Sequence, residues 1–347
     1  MNIWQKFFTR ISSGKDIRKH PVIIAAVFLG LLVLGVFLSI TMGSVRITIS
    51  EILSVLFRPD PSSMAYRIIT YIRVPRTIAA VLAGSGLSVA GAVLQSVLNN
   101  SLASPNVIGV NAGSGLFVIL IAALFPSYIM FTPVAAFIGA MLAILLVYFI
   151  AKLTGASRMA VVLSGIAVSS FIGAISDTIL TIWPDTAINH VHFAVGGFSG
   201  VTMDHIGFSL WFIIPALITA FILSYDLNIL SLGDETARSL GMKAGLIRFI
   251  FLTTAALLAG SVISFAGLLG FIGLIVPHAA RFLIGHNNRL VVPFSALLGS
   301  VFTLFCDLLA RVLFAPYEIP VGIIMSFLGG PFFIYLLFRQ RKRRVYG

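Results

Sequence analysis

The feature of this sequence that most limits its fold is a series of long, uncharged apolar stretches that runs through nearly all of it. Only 10% of the 347 residues are Asp, Glu, Lys or Arg, 59% are hydrophobic, and the mean hydropathy is +1.07. Apolar stretches of about twenty residues are long enough to cross a bilayer as helices. Because lipid offers no partner for open backbone groups, the chain is predicted to be an all-α, polytopic membrane protein.

About ten segments meet this length requirement, and we call them spans 1 to 10. They are residues 21–40, 77–98, 107–125, 129–151, 159–182, 206–224, 246–265, 267–285, 291–314 and 320–338. The gaps between them are too short for a soluble domain. The sequence therefore predicts one transmembrane domain over residues 21–338, with a basic N-terminus (1–20) before it and a basic C-terminus (339–347) after it.

The distribution of basic residues predicts the orientation. Seventeen of the 23 lysines and arginines fall on the side of the N-terminus and six on the other side. Because basic residues accumulate on the cytoplasmic side of membrane proteins, both termini are predicted to be cytoplasmic. The same bias explains the net charge of +12 without a nucleic-acid partner. The six arginines on the predicted outer side are Arg46, Arg58, Arg67, Arg73, Arg76 and Arg311.

Two segments of the chain resemble each other. Residues 82–91 read LAGSGLSVAG and residues 258–267 read LAGSVISFAG, with seven of ten positions identical. The first lies in span 2 and the second in span 7, so an odd number of crossings separates them and they run in opposite directions. This predicts an inverted repeat of spans 2–5 and 7–10, an arrangement that many transporters share.

One inner loop, residues 226–245, is more polar than its neighbours. Acids at positions 234 and 235 and a glycine at position 241 are start and stop signals for a short helix. We expect two short helices at the cytoplasmic face, covered by a partner protein, because their apolar side chains would otherwise be exposed. Those side chains are Ile229, Leu232 and Leu240.

Motifs for catalysis or cofactor binding are missing from the sequence. It has no GxxxxGK[ST] phosphate loop, no HExxH and no GxSxG. Its single cysteine, Cys306, can form neither an internal disulfide nor a thiolate metal site. His190, His192 and His205 lie in one outer segment but define no coordination shell. We therefore predict no catalytic residue, no metal site and no cofactor bound by this chain.

Two carboxylates lie within apolar spans, Asp177 in span 5 and Asp307 in span 9. An acid in a membrane helix is a candidate functional residue, because burying an unpaired carboxylate in lipid is costly. Arg311 follows Asp307 by four residues, which is the favourable order for a helix-internal ion pair. A structural ion pair and a proton relay both fit this spacing.

Arg73, Arg76 and Arg311 depart from the usual charge bias because they flank spans 2 and 9 at the outer side. A basic cluster there suits an acidic partner or an anionic substrate. Snorkelling toward lipid phosphates explains it equally well from spacing alone.

Several strings in order resemble one known family over essentially the whole chain from about residue 20. They are RVPRTIAAVLAGSGLSVAGAVLQ (73–95), NNSLASPNVIGVNAG (99–113), SLGDETARSLG (231–241), GLLGFIGLIVPHAAR (267–281), DLLAR (307–311), EIPVGI (318–323) and GGPFFIYLL (329–337). They resemble the FecCD family, which comprises permease subunits of bacterial ABC importers for iron–siderophore complexes, haem and vitamin B12.

The resemblance implies a ten-span permease of the bacterial cytoplasmic membrane, paired with an identical or a sister permease. It implies two cytoplasmic ATPase subunits, which bind ATP, and an extracytoplasmic solute-binding protein. The ligand is expected to be an iron(III)–siderophore chelate rather than haem or vitamin B12. Selectivity in the family rests mostly with the binding protein.

The resemblance also implies roles for particular residues. Arginines that match Arg73, Arg76 and Arg311 face glutamates of the binding protein, which favours docking over snorkelling. Helices that match spans 5 and 10 line the path, and residues 154–158 match a cytoplasmic gate region. The segment matching 231–241 couples the permease to the ATPase, and the residues predicted for this role are Ser231, Leu232, Gly233, Asp234, Glu235, Thr236, Ala237 and Arg238.

A path for a bulky chelate needs weak, transient contacts, because a tight site would trap the ligand. We therefore expect small and hydroxyl side chains along it, although serine is equally common where membrane helices pack. The candidates are Ser157, Ser164, Ser169 and Ser170. Two alternatives are an ion-gradient-driven secondary carrier of a small solute and an intramembrane enzyme. The enzyme would need a convergent cluster of acids, bases or metal ligands that the sequence does not contain.

Overall fold

The computed structural model describes residues 21–345 apart from 44, 46, 155 and 156. The predicted N-terminus (1–20), Arg46, two residues of the predicted gate and the last two residues lie outside the described residues. The α-helices are α1 (Pro21–Thr41), α2 (Ile49–Phe57), α3 (Met64–Ile68), α4 (Val74–Val97), α5 (Val110–Leu124), α6 (Thr132–Leu153), α7 (Arg158–Ile182), α8 (Ala187–Val195), α9 (Met203–Ile222), α10 (Ser224–Ser231), α11 (Asp234–Ser239), α12 (Ala244–Ala266), α13 (Ile272–Ile284), α14 (Asn288–Val312) and α15 (Val321–Val345). A π-helical turn (Ile69–Arg73) joins α3 to α4, and 3₁₀ turns (Pro126–Phe131 and Pro184–Thr186) precede α6 and α8.

Each of the ten predicted spans contains an apolar helix. Seven helices of the described chain are long and apolar enough to cross a membrane: α1, α4 with α3, α6 with its 3₁₀ turn, α7, α9, α12 and α14. The remaining three, α5, α13 and the first part of α15, are shorter apolar helices. The all-α, multi-helix fold is thus as predicted, and the number of crossings stays a prediction.

Two of the predicted spans begin in backbone that is not helical. Span 3 was expected from residue 107 and span 8 from residue 267, but α5 begins at Val110 and α13 begins at Ile272. The cause is left-handed or otherwise positive-φ backbone before each helix, at Gly109 (φ 83°), Gly267 (φ 67°) and Phe271 (φ 67°). Such angles interrupt a right-handed helix, and glycine tolerates them best.

The packing of the helices repeats in the two halves. In the repeat, α4, α5, α6 and α7 correspond to α12, α13, α14 and α15. The contact of α4 with α14 corresponds to that of α12 with α6. The contacts of α5 and α7 with α6 correspond to those of α13 and α15 with α14. The halves therefore meet along α4–α14 and α12–α6, and also where α4 contacts α12. This correspondence agrees with the predicted repeat of spans 2–5 and 7–10.

Small residues of the repeated segments allow the close helix contacts. A Cβ atom on Gly84 would clash with the backbone of Gly299 on α14, and a Cβ on Gly260 would lie 2.9 Å from Ala140 on α6. Helices without bulky side chains at their crossing approach closely and gain van der Waals contact, which is what associates helices in lipid. Gly84 and Gly260, which are identical in the repeat, therefore serve equivalent packing positions in the two halves.

Polar contacts gather at two ends of the helix bundle. At one end, the Ser39 and Thr77 hydroxyls lie 2.6 Å apart and Arg76 pairs with Asp307. At the other end, the Asn228 amide donates to Asn287 at 2.9 Å. The predicted topology assigns the first set to the outside and the second to the cytoplasm, so we call these the outer and inner ends. The two short helices predicted in residues 226–245 are α10 and α11, at the inner end.

Candidate functional site

A cavity of about 720 Å³ lies where helices of both halves meet, and we call it the central cavity. Its volume is within the roughly 300–1,000 Å³ typical of small-molecule sites. Segments of α5, α7, α8 and α15 line it, together with the non-helical segments before α5 and α13. The polar side chains in its wall are Asn106, Asn111, Ser176, Asp177, His190 and Ser326.

The two non-helical segments occupy corresponding positions in the repeat, since each follows the first helix of its half. One contributes Asn106 to the cavity wall and the other contributes Leu268 and Gly270. Phe271 has a positive φ, and its ring packs against Gly329 on α15. A Cβ atom at position 329 would clash with this ring. Non-helical backbone among membrane helices is tolerated where it lines a cavity. Such segments at matching positions of two repeats are typical of substrate sites in transporters.

The side chains in the cavity wall that can carry charge are Asp177 and His190. The pKa of His190 is lowered because partial burial disfavours the imidazolium, and the carboxylate of Asp177 opposes that shift. His190 is therefore neutral at neutral pH, and Asp177 supplies negative charge. Within the described part of the chain, no lysine or arginine lines this cavity.

None of the four predicted path serines lines the central cavity. Ser157 caps the N-terminus of α7 by accepting from the Ala160 N–H at 3.1 Å, and Ser164 is buried. The Ser169 hydroxyl is buried, and Ser170 is exposed on the open side of α7. The cavity is instead lined by the outer half of α7, through Gly173, Ser176, Asp177 and Leu180.

α7 and α15 also carry a wide apolar face with no covering helix in the described chain. On α7, Leu163 (58%), Ile166 (54%) and Phe171 (66%) are exposed, and on α15 Phe327 is 75% exposed. Phe327 is also part of the cavity wall. The cavity therefore adjoins the exposed face.

The outer end contains a buried charge cluster around Asp307, which is fully buried. Arg76 approaches Asp307 at 3.0 Å and Glu318 at 2.6 Å. Arg311 approaches Asp307 at 3.1 Å, which is the ion pair that the i,i+4 spacing favoured, and donates to the Ser39 hydroxyl at 2.7 Å. A fully buried carboxylate needs such partners, because an unpaired one would be strongly destabilising.

The three arginines predicted to dock a binding protein are all buried and bonded within the chain. Arg73, Arg76 and Arg311 are 3%, 6% and 2% exposed. The Arg73 guanidinium donates to the Ile40 and Thr41 carbonyls at 2.7 Å each, and also to the Val45 carbonyl. Their docking role stays a prediction, and it requires that the partner displace an internal contact.

The inner end joins α11 to two spans through charge. The Asp234 carboxylate lies 3.7 Å from Arg158 and also pairs with Arg248 on α12. Arg158 donates to the Leu230 carbonyl at 2.6 Å. The predicted coupling residues Leu232, Glu235, Thr236 and Arg238 are exposed, whereas Ala237 is buried and Ser231, Gly233 and Asp234 are half-buried.

Sequence reasoning missed two contacts that fix this segment. Asn228 on α10 donates to Asn287 at 2.9 Å and accepts from the Asn288 N–H at 2.8 Å, which ties α10 to the start of α14. Glu318 was missed at the outer end because it lies 242 positions from Arg76, and no local pattern links them.

The three histidines of the outer segment do not converge. His190 lines the central cavity, whereas His192 and His205 line a second cavity of about 530 Å³ with Arg76 and Glu318. Over the described residues, no group of three or more His, Cys, Asp or Glu side chains is arranged to hold a metal ion.

Residues 31–339 match the family model described as the FecCD transport family. The chain is 37% identical over 324 residues to the iron(3+)-hydroxamate import system permease protein FhuB of Bacillus subtilis (strain 168), covering 92% of this chain and 84% of FhuB. It is 36% identical over 310 residues to the Fe(3+)-citrate import system permease protein YfmD of the same organism, covering 89% and 92%.

Among solved structures, the chain is similar to a metal-chelate type ABC transporter in an inward-facing conformation. The TM-score is 0.79 with 25% sequence identity, and the match covers 91% of this chain and 99% of the other.

Proposed function

The chain belongs to the FecCD transport family, and we propose that its central cavity is the route by which a ferric chelate crosses the bacterial cytoplasmic membrane. It is the permease of an ABC importer and a transport subunit rather than an enzyme. The observation that carries the proposal is the cavity itself, which is lined by the non-helical segments before α5 and α13 and has room for a small ligand.

The apolar face of α7 and α15 is proposed to meet a second permease, identical or homologous. Phe171 and Phe327 on this face are mostly exposed, and Phe327 also lines the central cavity. A second chain on this face would cover Phe327, which borders the central cavity and would otherwise be exposed to an aqueous path. It would also complete the cavity wall, and membrane lipid would cover the remaining apolar helices.

The exposed side of α11 is proposed to seat in a cytoplasmic ATPase subunit, one for each permease. Leu232 and Leu240 are 64% and 62% exposed at the inner end, where the predicted orientation of the termini leaves water rather than lipid. Apolar side chains exposed to water next to Glu235 and Arg238 fit a protein interface. ATP would bind in those partner subunits.

The outer end is proposed to receive a solute-binding protein. The Glu318 side chain is 34% exposed and forms an ion pair with Arg76. An acidic group of the binding protein would compete with Glu318 for the same guanidinium. Docking would then release the segment that precedes α15, one of the helices of the cavity wall. In this mechanism the loaded binding protein docks outside, ATP closes the ATPases inside, and α7 and α15 open the cavity to alternate sides.

The test is uptake of a ferric trihydroxamate by liposomes that contain the permease pair, the ATPases and an external loaded binding protein. We expect accumulation with internal ATP and none with ATPases that bind but do not hydrolyse ATP. Accumulation driven by an ion gradient without any ATPase would overturn the proposal and support the secondary carrier. Binding-protein-independent accumulation would exclude the docking step alone.

A further inference from the structure

The central cavity has an unbalanced charge. Asp177 contributes a carboxylate to its wall, and the other polar side chains there are neutral amides, hydroxyls and the imidazole of His190. Burial lowers the pKa of His190, which keeps this ring uncharged at neutral pH. No lysine or arginine of the described chain forms an ion pair with Asp177 or lines the cavity.

The basic residues of the outer end do not compensate for this carboxylate. Arg76 and Arg311 are paired with Asp307 and Glu318. The guanidinium of Arg73 keeps its charge but is held by carbonyls at the end of α1, outside the wall of the central cavity. None of the three lines the central cavity, and Arg76 lines the second cavity instead. A ligand in the central cavity therefore meets the solvent-exposed carboxylate of Asp177 as the charged group of the wall, and this carboxylate repels a negative ligand.

Ferric chelates differ in net charge, and a negatively charged cavity wall distinguishes them by that charge. Three hydroxamates each lose one proton on binding iron, so a ferric trihydroxamate is neutral, or cationic where the ligand carries an amine. Citrate and catecholates leave a net negative charge on the complex. The relatives include both a hydroxamate and a citrate permease at nearly the same identity, so similarity alone does not distinguish these classes.

We propose that Asp177 makes the central cavity selective for neutral and cationic ferric chelates of the hydroxamate type and against anionic ones. This inference rests on the proposed function, because it assigns a substrate class to the same cavity. Asp177 acts by repelling a net negative ligand along the path, without forming a tight site.

The test compares two chelates with one iron centre and opposite charge: ferrioxamine B, which carries a free ammonium, and its N-succinylated form, which carries a carboxylate. The complete importer in proteoliposomes is presented with binding protein that is saturated with one or the other, with occupancy confirmed by fluorescence quenching. We expect the wild type to favour ferrioxamine B by about tenfold, a ratio that D177N reduces toward one and D177K inverts.

The matched control is D185N, which removes an exposed carboxylate at the same end that does not line the cavity. It should keep the wild-type ratio, and size-exclusion profiles establish that every complex is assembled. Equal rates for the two chelates in the wild type, or an unchanged ratio in D177N, would overturn the inference. Absence of ATP-driven uptake of both chelates in the wild type would overturn the proposed function itself, a result distinct from a changed ratio.

Discussion

The carboxylate of Asp234 lies 3.7 Å from the guanidinium of Arg158, and this ion pair joins the first residue of α11 to the first residue of α7. Asp234 is also paired with Arg248 on α12, so one carboxylate connects the short inner helix to two spans. The segment proposed to meet the ATPase is thereby linked directly to a helix of the cavity wall. Motion of α11 would be transmitted to α7 without an intervening loop.

Removing this link should uncouple ATP hydrolysis from transport. We expect D234N and R158Q each to lower the number of chelates imported per ATP by about threefold or more, while membrane insertion and hydrolysis persist. The Arg158–Asp234 pair is 21% and 30% exposed at its side chains, so R158Q should cost little stability, about 1 kcal/mol or less. D234N also removes a carboxylate from the buried Arg248, so its unfolding midpoint is measured alongside. The measurement is uptake and phosphate release in the same proteoliposomes.

The double variant D234N/R158Q provides the control for this prediction. If the two residues act through one contact, the double variant should be little worse than either single variant. Effects of the two substitutions that simply multiply would show that the residues act independently, and the proposed link would be rejected.

Glu318 should restrain docking of the binding protein. It holds Arg76 at 2.6 Å, and Asp307 holds the same guanidinium at 3.0 Å. E318Q removes one of these two carboxylates and so partly frees Arg76, which should tighten binding of an acidic partner about threefold or more at low salt. R76Q should weaken it. Affinity is measured on nanodiscs that contain the permease pair, at low and at high ionic strength.

A matched variant separates this specific effect from general electrostatics. Glu51 lies at the outer end in α2, where it is exposed and accepts from the Thr48 N–H at 2.7 Å. E51Q makes the same change in net charge without freeing Arg76. Equal gains in affinity from E51Q and E318Q would mean that Arg76 plays no particular part in docking.

Asp307 is expected to be structural. It is fully buried between Arg76 and Arg311, and D307N would leave two buried guanidinium groups short of a counter-charge. Breaking such a cluster from one side costs about 3–5 kcal/mol. The expected result is a lower unfolding midpoint in detergent than for the wild type, with D185N unchanged. A D307N protein of normal stability with lost transport would favour the proton-relay interpretation instead.

The sequence was sufficient for the parts of the fold that depend on local pattern. Apolar length located all ten helices, the repeated LAGS segments indicated the two halves, and Asp234 and Gly241 marked a short helix near its observed place. The starts of α5 and α13 were missed because the breaks depend on backbone angles at Gly109, Gly267 and Phe271, and hydropathy does not report these.

The candidate site was less accessible from the sequence because its members are distant along the chain. Asp177 was noticed as an acid within a span, but its position beside His190 and Asn106 depends on the packing of three separate segments. The four predicted serines belong to α7 and its cap and lie nearer the inner end than the cavity does, so their part in the path stays a prediction. Helical periodicity identifies a face but not the depth at which a cavity lies.

The close contact of α4 with α14 gives a prediction for stability. A Cβ atom on Gly84 would clash with the Gly299 carbonyl, and backbone cannot move aside as a flexible side chain can. We expect G84A to lower the free energy of unfolding by about 1–3 kcal/mol, the cost of overpacking. Gly30 in α1 is the control, because nothing lies within 4 Å of a Cβ there and G30A should be neutral or stabilising by up to about 1 kcal/mol. The measurement is unfolding by SDS titration in mixed micelles. Similar free energies of unfolding for G84A and G30A would mean that α4 and α14 can move apart without loss of stability. That result would contradict the close packing inferred at Gly84.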